Sequence, residues 1–534
     1  MCARFDPRAR SPAVPRTRRP SPIPSTPPPA SVPSAERRFE RWRNTIGLFL
    51  GPAAALLLLL LPMDGLSTEA HRLAAVIGWV IVWWITEPIP IPVTALVGAA
   101  LAVLFGIAPA KTVLAPFADP TIYLFLGSFV IARGMSAHGL DRRFAYRLMA
   151  VRWVGDSAAR TLFMFGAIAA FASMWISNTA TTAMMFPIAL GIVHTMADRI
   201  SRESGRPVDP LRLRFGTGMM LMAAYASSAG GIATPVGTPP NLIGLAMIDK
   251  LLGTRIPFFQ WMLFAFPILA VMYGVLFLLM LRLHRPEIGR VEGSRDVVSA
   301  ELSKLGRMTA GERNVLIAFS VAVVLWILPG ILSLAAGAQS SVVKTYGSRV
   351  PEAVAALIGA SLLFLLPVDW KKREFTLTWK QATEINWGTL LLFGGGITLG
   401  DLMFQTKLAE AIGHGLLRMS GAESVWGVTF AAIWISILVS ETTSNTASAT
   451  MVVPVVISLA QAADLNPLPP AIGATLGASW GFMLPVSTPP NAIVYGSGMI
   501  PITKMVRAGL LFDLLGGILL WCGLRVLLPL LGLA

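Results

Sequence analysis

The chain alternates long apolar runs with short polar clusters. Runs bounded by charge or by Pro and Gly fall near residues 46–62, 73–86, 91–107, 120–137, 257–281, 314–334, 351–367, 387–402 and 508–530. Most approach the ~20 residues that carry a helix across ~30 Å of hydrocarbon. Four longer apolar segments, 159–197, 215–248, 425–463 and 471–500, are interrupted near their middles by polar or proline-bearing stretches. The pattern predicts an all-α polytopic membrane protein of about 11 transmembrane helices, with two re-entrant helical hairpins (159–197 and 425–463) and two broken helices (215–248 and 471–500). It divides the chain into a first half, 44–281, and a second half, 314–534, joined by a cytoplasmic linker, 282–313.

Composition agrees: of 534 residues, 54% are hydrophobic and 13% charged. The formal charge of +15 reads as Lys and Arg gathered in cytoplasmic loops, not as a nucleic-acid surface. Cys2 and Cys522 lie at opposite ends of the chain and the five histidines are scattered, so no disulfide framework or metal-ligand cluster is expected. Residues 1–43 are rich in Pro, Ser and Arg and read as a disordered basic cytoplasmic tail. Its Arg-rich, acid-poor start also resembles an organellar transit peptide. The first apolar run follows a long basic region without a small-residue cleavage site and reads as a retained span, in a protein of the inner (plasma) membrane.

The basic residues set the sidedness. Ten Arg precede the first span, and the stretches 139–160, 198–214, 282–313, 368–380 and 501–507 hold five, five, seven, four and two Lys or Arg, so 33 of 43 fall on one side. Both loops around 159–197 carry five, which requires that segment to leave and return to the same face. A re-entrant hairpin of two half-helices fits its 39 residues better than two full crossings, which charge parity alone does not separate from it. Segment 425–463 does the same from the opposite side. The halves are therefore expected to be inverted repeats, an arrangement in which transporters bind cargo near the midplane at interrupted helices.

Two motifs mark those interruptions, each written twice. "SNTATTAMMFP" from Ser177 matches "SNTASATMVVP" from Ser444, 267 residues later, and "PVGTPPN" from Pro235 matches "PVSTPPN" from Pro485, 250 residues later. "FLGSFVIARGM" around Gly127 weakly parallels "FGGGITLGDLM" around Gly395. Ser, Asn and Thr cap helix N-termini, so each SNT is expected to start a half-helix whose free N–H groups and positive dipole end suit an anion. The paired prolines are expected to unwind the helix and free the carbonyls of Pro235 and Val236, and of Pro485 and Val486, as ligands for a hard monovalent cation. Ser and Thr also glue membrane helices together and Pro kinks are frequent there, so one motif alone specifies no site. Two different motifs, each paired and each at a break, do. Neither motif contains a Lys, Arg, Asp or Glu, so a buried dianion would need cations to accompany it.

Paired SNT tips and paired TPPN breaks resemble the divalent anion:sodium symporter family of Na⁺-coupled dicarboxylate transporters, over nearly all of residues 45–534. The resemblance implies a homodimer with a fixed scaffold and a mobile domain that carries substrate by an elevator-type motion. It implies one Na⁺ site at Ser173, Ser177, Asn178 and Gly237 and a second at Ser440, Thr443, Asn445 and Ser487. It implies substrate contacts from Ser177, Asn178, Thr179, Thr238, Ser444, Asn445, Thr446, Thr488 and Pro489. Ser440 stands where many relatives are expected to carry Thr, which preserves the hydroxyl, and Ser487 stands opposite Gly237 at a position expected to act through its carbonyl.

Glu87, Arg133, Asp401, Glu441, Asp513 and Arg525 lie in or beside spans, where an ionisable group is a functional candidate. Glu441, three residues before Ser444, reads as a structural partner or a proton relay. "GASWG" around Ser479 has the G-x-S-x-G form, but it sits in apolar sequence expected to be helical, outside the strand–turn–helix setting of a hydrolase. No zinc or phosphate-loop motif occurs. The expectation is a non-enzymatic symporter for a C4 dicarboxylate such as succinate, malate or fumarate, with a Na⁺-independent exchanger or a sodium/sulfate symporter as rivals on the same scaffold.

Overall fold

The computed structural model describes residues 34–63, 65–154, 156–290, 293–337, 339–420 and 424–534. The architecture is helical, apart from one two-stranded antiparallel ribbon among the described residues, Pro367–Asp369 with Glu374–Phe375. Nine of the described helices are long and apolar enough to cross a membrane, or ten if the bent pair Ser341–Arg349 and Glu352–Leu365 counts as one span. Unbroken spans match their expected positions closely, as in Pro120–His138, Phe258–Leu283, Ala310–Ala336, Trp387–Gln405 and Ile502–Leu530. The membership differs from the expected eleven as well as the number: three hairpin arms, Asn178–Ser204, Val425–Thr442 and Asn445–Ala462, are themselves long enough to cross, while Ile91–Leu104 is too short and the breaks shorten other pieces. Arg214–Gly230 and Pro239–Leu252 are 17 and 14 residues, and Leu468–Gly477 and Pro489–Tyr495 are 10 and 7.

Of the expected tail, residues 1–33 lie outside the described residues, while 34–43 form the start of helix Ser34–Leu60. Tertiary contacts secure that helix: Trp83 Nε1 donates to the Gly47 carbonyl at 3.0 Å, and Arg43 lies 3.7 Å from Glu87. The linker is also structured in part. Helix Ser294–Lys304 precedes a capping box in which Glu312 N–H donates to Thr309 Oγ1 at 3.2 Å and Thr309 N–H to Glu312 Oε2 at 2.7 Å. Arg143, on helix Leu140–Met149, pairs with Glu312 at 2.7 Å and donates to the carbonyls of Leu305 and Gly306. Both side chains of the pair are 3% exposed. Basic sequence that reads as loop is thus helical where a buried ion pair anchors it.

The halves interlock. Pro120–His138 of the first half packs against Glu352–Leu365 of the second, and Trp387–Gln405 of the second packs against Ile91–Leu104 of the first. Glycines at matched positions let the backbones close: a Cβ on Gly127 would lie 2.6 Å from the Ala356 carbonyl carbon, and one on Gly395 would lie 2.7 Å from Ala95 Cβ. The weak sequence parallel around Gly127 and Gly395 therefore corresponds to equivalent packing in the two halves.

His284, just beyond the end of Phe258–Leu283, is 4% exposed and its Nε2 has no hydrogen-bond partner. Burial, reinforced by the charges of Lys504 and Arg507, pushes its pKa down to about 4. The unfolded imidazole takes up a proton near pH 6.5, whereas the folded one resists it until about pH 4. Stability should therefore fall as pH drops through this window, by on the order of 3 kcal/mol. Thermal unfolding of the detergent-solubilised protein between pH 7 and 4.5 should show this loss, and His284→Asn should lack that component.

Candidate binding site at the paired helix breaks

In the first hairpin, helix Ala158–Ser173 stops and helix Asn178–Ser204 begins after a four-residue turn. Ser177 is its N-cap, accepting from Ala180 N–H at 3.2 Å. The second hairpin repeats this between Val425–Thr442 and Asn445–Ala462, where Ser444 accepts from Ala447 N–H at 3.2 Å. Beneath each tip lies the same bond across the break. Ser173 Oγ donates to Asn178 Oδ1 at 2.7 Å, and Ser440 Oγ lies 2.8 Å from both Asn445 Oδ1 and the Ala478 carbonyl. Ser173 and Ser440 are buried, while Ser177 and Thr179 are exposed and Asn178, Ser444, Asn445 and Thr446 are half-buried. The tips are accessible and their supports are not.

The broken helices supply the other wall. Arg214–Gly230 passes through a short 3₁₀ turn, Gly231–Ala233, before Pro239–Leu252 begins with Thr238 at its N-cap. A Cβ on Gly231 would meet Asn178 Oδ1 at 2.6 Å and Thr238 Cβ at 3.1 Å, and one on Gly237 would meet the Gly231 carbonyl oxygen at 2.4 Å. Asn178, Gly231, Gly237 and Thr238 thus form one cradle that tolerates no added methyl. In the second copy a Cβ on Gly481 would sit 3.1 Å from Ser440 Oγ, which places Ser440, Asn445 and Gly481 together. Ser487 donates to Glu441 Oε2 at 2.7 Å, so its hydroxyl is engaged and its carbonyl remains the candidate ligand. Thr443 Oγ1 donates to the Val439 carbonyl of its own helix at 2.8 Å.

The prolines act differently from expectation. Pro239 and Pro240, like Pro489 and Pro490, occupy the first two positions of the second helical piece, where an N–H would have no intrahelical partner in any case. They begin a helix, so the carbonyls of Pro235 and Val236 are not withdrawn from one. The carbonyls that the Asn of each motif holds lie at the end of the preceding piece in the first copy and in the loop after it in the second. Asn241 Nδ2 lies 3.0 Å from the Gly231 carbonyl, 2.8 Å from Thr234 and 3.4 Å from Ile232, while Asn491 Nδ2 donates to Leu484 O at 3.0 Å. Trp261 Nε1 adds a bond to Ile232 O at 2.9 Å, and Thr234 Oγ1 bonds the Met174 carbonyl in the hairpin turn. Gly231, Gly481 and Trp261 are supports outside both motifs, and Asn241 and Asn491 are motif residues whose role as supports the motif reading did not assign. The glycines and asparagines share the 250-residue offset of the TPPN elements, a signal present in the sequence. Trp261 carries no such signal.

Among the described residues no hydrogen bond joins the first set to the second. The helices that carry them do interlock, because Pro489–Tyr495 packs against Asn178–Ser204 and Arg214–Gly230, and Pro239–Leu252 packs against Asn445–Ala462 and Leu468–Gly477. A Cβ on Gly244 would fall 2.0 Å from Thr475 Oγ1, which marks how closely the last of these pairs approaches. Ser479, of the G-x-S-x-G coincidence, lies just past the end of Leu468–Gly477 instead of within a helix, is 1% exposed and makes no hydrogen bond through its hydroxyl.

An all-α membrane fold with two capped hairpin tips facing two interrupted helices defines the transporter class, and sequence comparison gives the family. Residues 43–531 match the family described as sodium:sulfate symporter transmembrane region. The chain is 34% identical over 492 residues to the sodium-dependent dicarboxylate transporter SdcS of Staphylococcus saprophyticus, covering 91% of each protein, and 33% identical over 479 residues to SdcS of Staphylococcus aureus, covering 89% of each. It belongs to the divalent anion:sodium symporter family and is an integral membrane transporter, not an enzyme. The crystal structure of the Alcanivorax borkumensis YdaH transporter is similar in fold, with a TM-score of 0.50 over 92% of this chain and 97% of that one at 16% identity.

Removing the Asn241 amide leaves buried carbonyls unpaired, each costing ~1–3 kcal/mol. Asn241→Ala should lower thermal stability by about 2 kcal/mol or more, and by more than Asn491→Ala, which releases a single carbonyl. Thermal unfolding of the purified variants would check the ranking.

Proposed function

We propose that this protein is a secondary active transporter in which Na⁺ moving down its gradient drives symport of a C4 dicarboxylate of the succinate, malate and fumarate class. The observation that carries the reading is the repeated hydroxyl–amide pair across each hairpin break, Ser173–Asn178 and Ser440–Asn445, set against a glycine of the facing broken helix. Carbonyl, hydroxyl and amide oxygens are the donors a hard monovalent cation takes, and the second helix of each hairpin starts at the same point with free N–H groups suited to a carboxylate. The family match and the SdcS relatives support Na⁺ coupling and a dicarboxylate cargo.

In this reading Ser173, Ser177, Asn178 and the Gly237 carbonyl hold one Na⁺, and Ser440, Thr443, Asn445 and the Ser487 carbonyl hold another. The hydroxyls and amides of Ser177, Asn178, Thr179, Thr238, Ser444, Asn445, Thr446 and Thr488, with Pro489, surround the dianion. The motifs contain no basic side chain, so the cations bind with the substrate and offset its charge, which couples the two fluxes. The hairpins are re-entrant, and the unit bearing them shifts against a scaffold in a homodimer by an elevator-type movement. The protein resides in the plasma membrane with its N-terminus in the cytoplasm.

Labelled succinate uptake into proteoliposomes tests this directly. Uptake should require an inward Na⁺ gradient and proceed without internal dicarboxylate. Uptake that ignores Na⁺ but needs trapped succinate would identify an exchanger, and inhibition by sulfate in place of succinate would reassign the cargo. Asn178→Ala and Asn445→Ala each remove an oxygen shared by cation and anion and should reduce Na⁺-driven uptake on the order of a hundredfold while the protein remains folded. Wild-type rates in both variants would refute the assignment.

A further inference from the structure

We propose that His284, Lys504 and Arg507 form a binding site for the phosphate headgroup of an anionic phospholipid, on the membrane face where most Lys and Arg gather. The site lies outside the hairpins and requires only that the protein spans a bilayer. Helices Phe258–Leu283 and Ile502–Leu530 pack against each other and run antiparallel. A Cβ on Gly523 would fall 2.6 Å from Ile268 Cγ1, and Gln260 Nε2 donates to the Leu531 carbonyl at 3.4 Å. Gln260 to Ile268 and Gly523 to Leu531 are eight residues each, so the two contacts share one register. Sixteen residues further along both helices, that register sets His284 opposite Arg507.

Helix Arg214–Gly230 ties the two ends together. A Cβ on Gly218 would meet His284 Cβ at 2.9 Å, while the neighbouring Thr217 donates through Oγ1 to the Met499 carbonyl at 2.9 Å, just ahead of Ile502. His284 is 4% exposed and its Nε2 has no hydrogen-bond partner. Lys504 and Arg507 lie one turn apart on their helix and form no ion pair among the described residues, and neither do Arg282 and Arg285. Glu287, the acid that follows Arg285 in sequence, is engaged elsewhere. It accepts from the N–H groups of Arg214 at 2.5 Å and Phe215 at 3.3 Å, and lies 3.5 Å from Arg214 Nε.

Cations gathered without an acid repel one another, and a buried imidazole nitrogen without a partner is costly; a bound anion relieves both. The surface beneath the cations says where that anion comes from. Arg507 heads a row on one helix face that continues through Leu510, Leu514 and Ile518, and Arg282 ends a row formed by Val271 and Leu278. All five of these apolar side chains are exposed. Exposed apolar rows that end in arginine mark the boundary between hydrocarbon and headgroups. A molecule with both acyl chains and a phosphate covers the leucines and the charges together, whereas a free anion covers the charges alone. The phosphate sits over Lys504 and Arg507, with His284 behind them, and guanidinium geometry suits its oxygens.

The test is thermal unfolding of the purified protein in a neutral detergent, titrated with phosphatidylglycerol, with phosphatidylcholine of the same acyl chains, and with inorganic phosphate. Phosphatidylglycerol should raise the midpoint, because it binds the folded state. An equal rise with phosphatidylcholine overturns the proposal, and an equal rise with inorganic phosphate overturns the lipid as the source of the anion. Lys504→Gln/Arg507→Gln should need on the order of thirtyfold more phosphatidylglycerol for half the rise. Arg147→Gln/Arg152→Gln removes as many exposed charges from the same face and should titrate like wild type. Equal losses in the two double variants would reduce the effect to the general attraction of a basic surface, and wild-type titration of Lys504→Gln/Arg507→Gln would dismiss the site outright. Should that variant fail to fold, Arg507→Gln alone, at an exposed position, is read in the same way with about a fivefold change expected. None of these readings involves succinate or Na⁺, so they stand or fall apart from the transport reading.

Discussion

A helix broken in an apolar interior leaves carbonyls and amides that lipid cannot satisfy, and the protein has to satisfy them itself. That constraint organises the molecule. At each hairpin the chain closes the break with a serine hydroxyl reaching a caps-adjacent asparagine, and at each broken helix an asparagine amide or an indole N–H takes up the carbonyls that the interruption frees. The groups left accessible at the tips are then available to a guest. The buried groups that repair the breaks stand directly behind the accessible groups of the tips.

Glycine makes the repair geometrically possible. Gly231 and Gly237 bring one strand of irregular backbone against another and against Asn178, and Gly509 lets a whole helix rest on the loop after Gly481. Rigid supports behind an accessible tip are what ion coordination needs, since oxygen donors a fraction of an ångström out of place no longer replace a hydration shell. The second half departs from the first by adding a carboxylate under its loop, where the first half uses a threonine hydroxyl on a main-chain carbonyl. The two cradles are related by descent of pattern but differ in local charge.

Much of this architecture was legible in the sequence because apolar length and repetition are both linear signals. The hairpin turns at Ser177 and Ser444 were marked by cap residues, and the starts of Pro239–Leu252 and Pro489–Tyr495 by paired prolines. Local sequence does not fix the role of those prolines, because whether a Pro interrupts a helix or begins one depends on where the preceding piece ends. Trp261 acts 29 residues from Ile232, and Tyr225 reaches Phe482 across 257 residues. Such partnerships arise only when the elements pack, and no local pattern encodes them. Helix Leu140–Met149 was hidden for a similar reason, since Arg143 looked like one more loop cation until Glu312 met it.

The exchange of helices between halves also bears on how the chain is made. Pro239–Leu252 packs against Leu468–Gly477 and Asn445–Ala462, segments that leave the ribosome roughly two hundred residues later. At synthesis rates of ~5–20 residues per second that is a delay of roughly ten to forty seconds, during which the earlier segment has no native neighbour on that side. A proline-started helix of 14 residues with few charges must wait in the membrane or against the insertion machinery for its partner to arrive. Biogenesis, and not only transport, therefore depends on the second half completing the first.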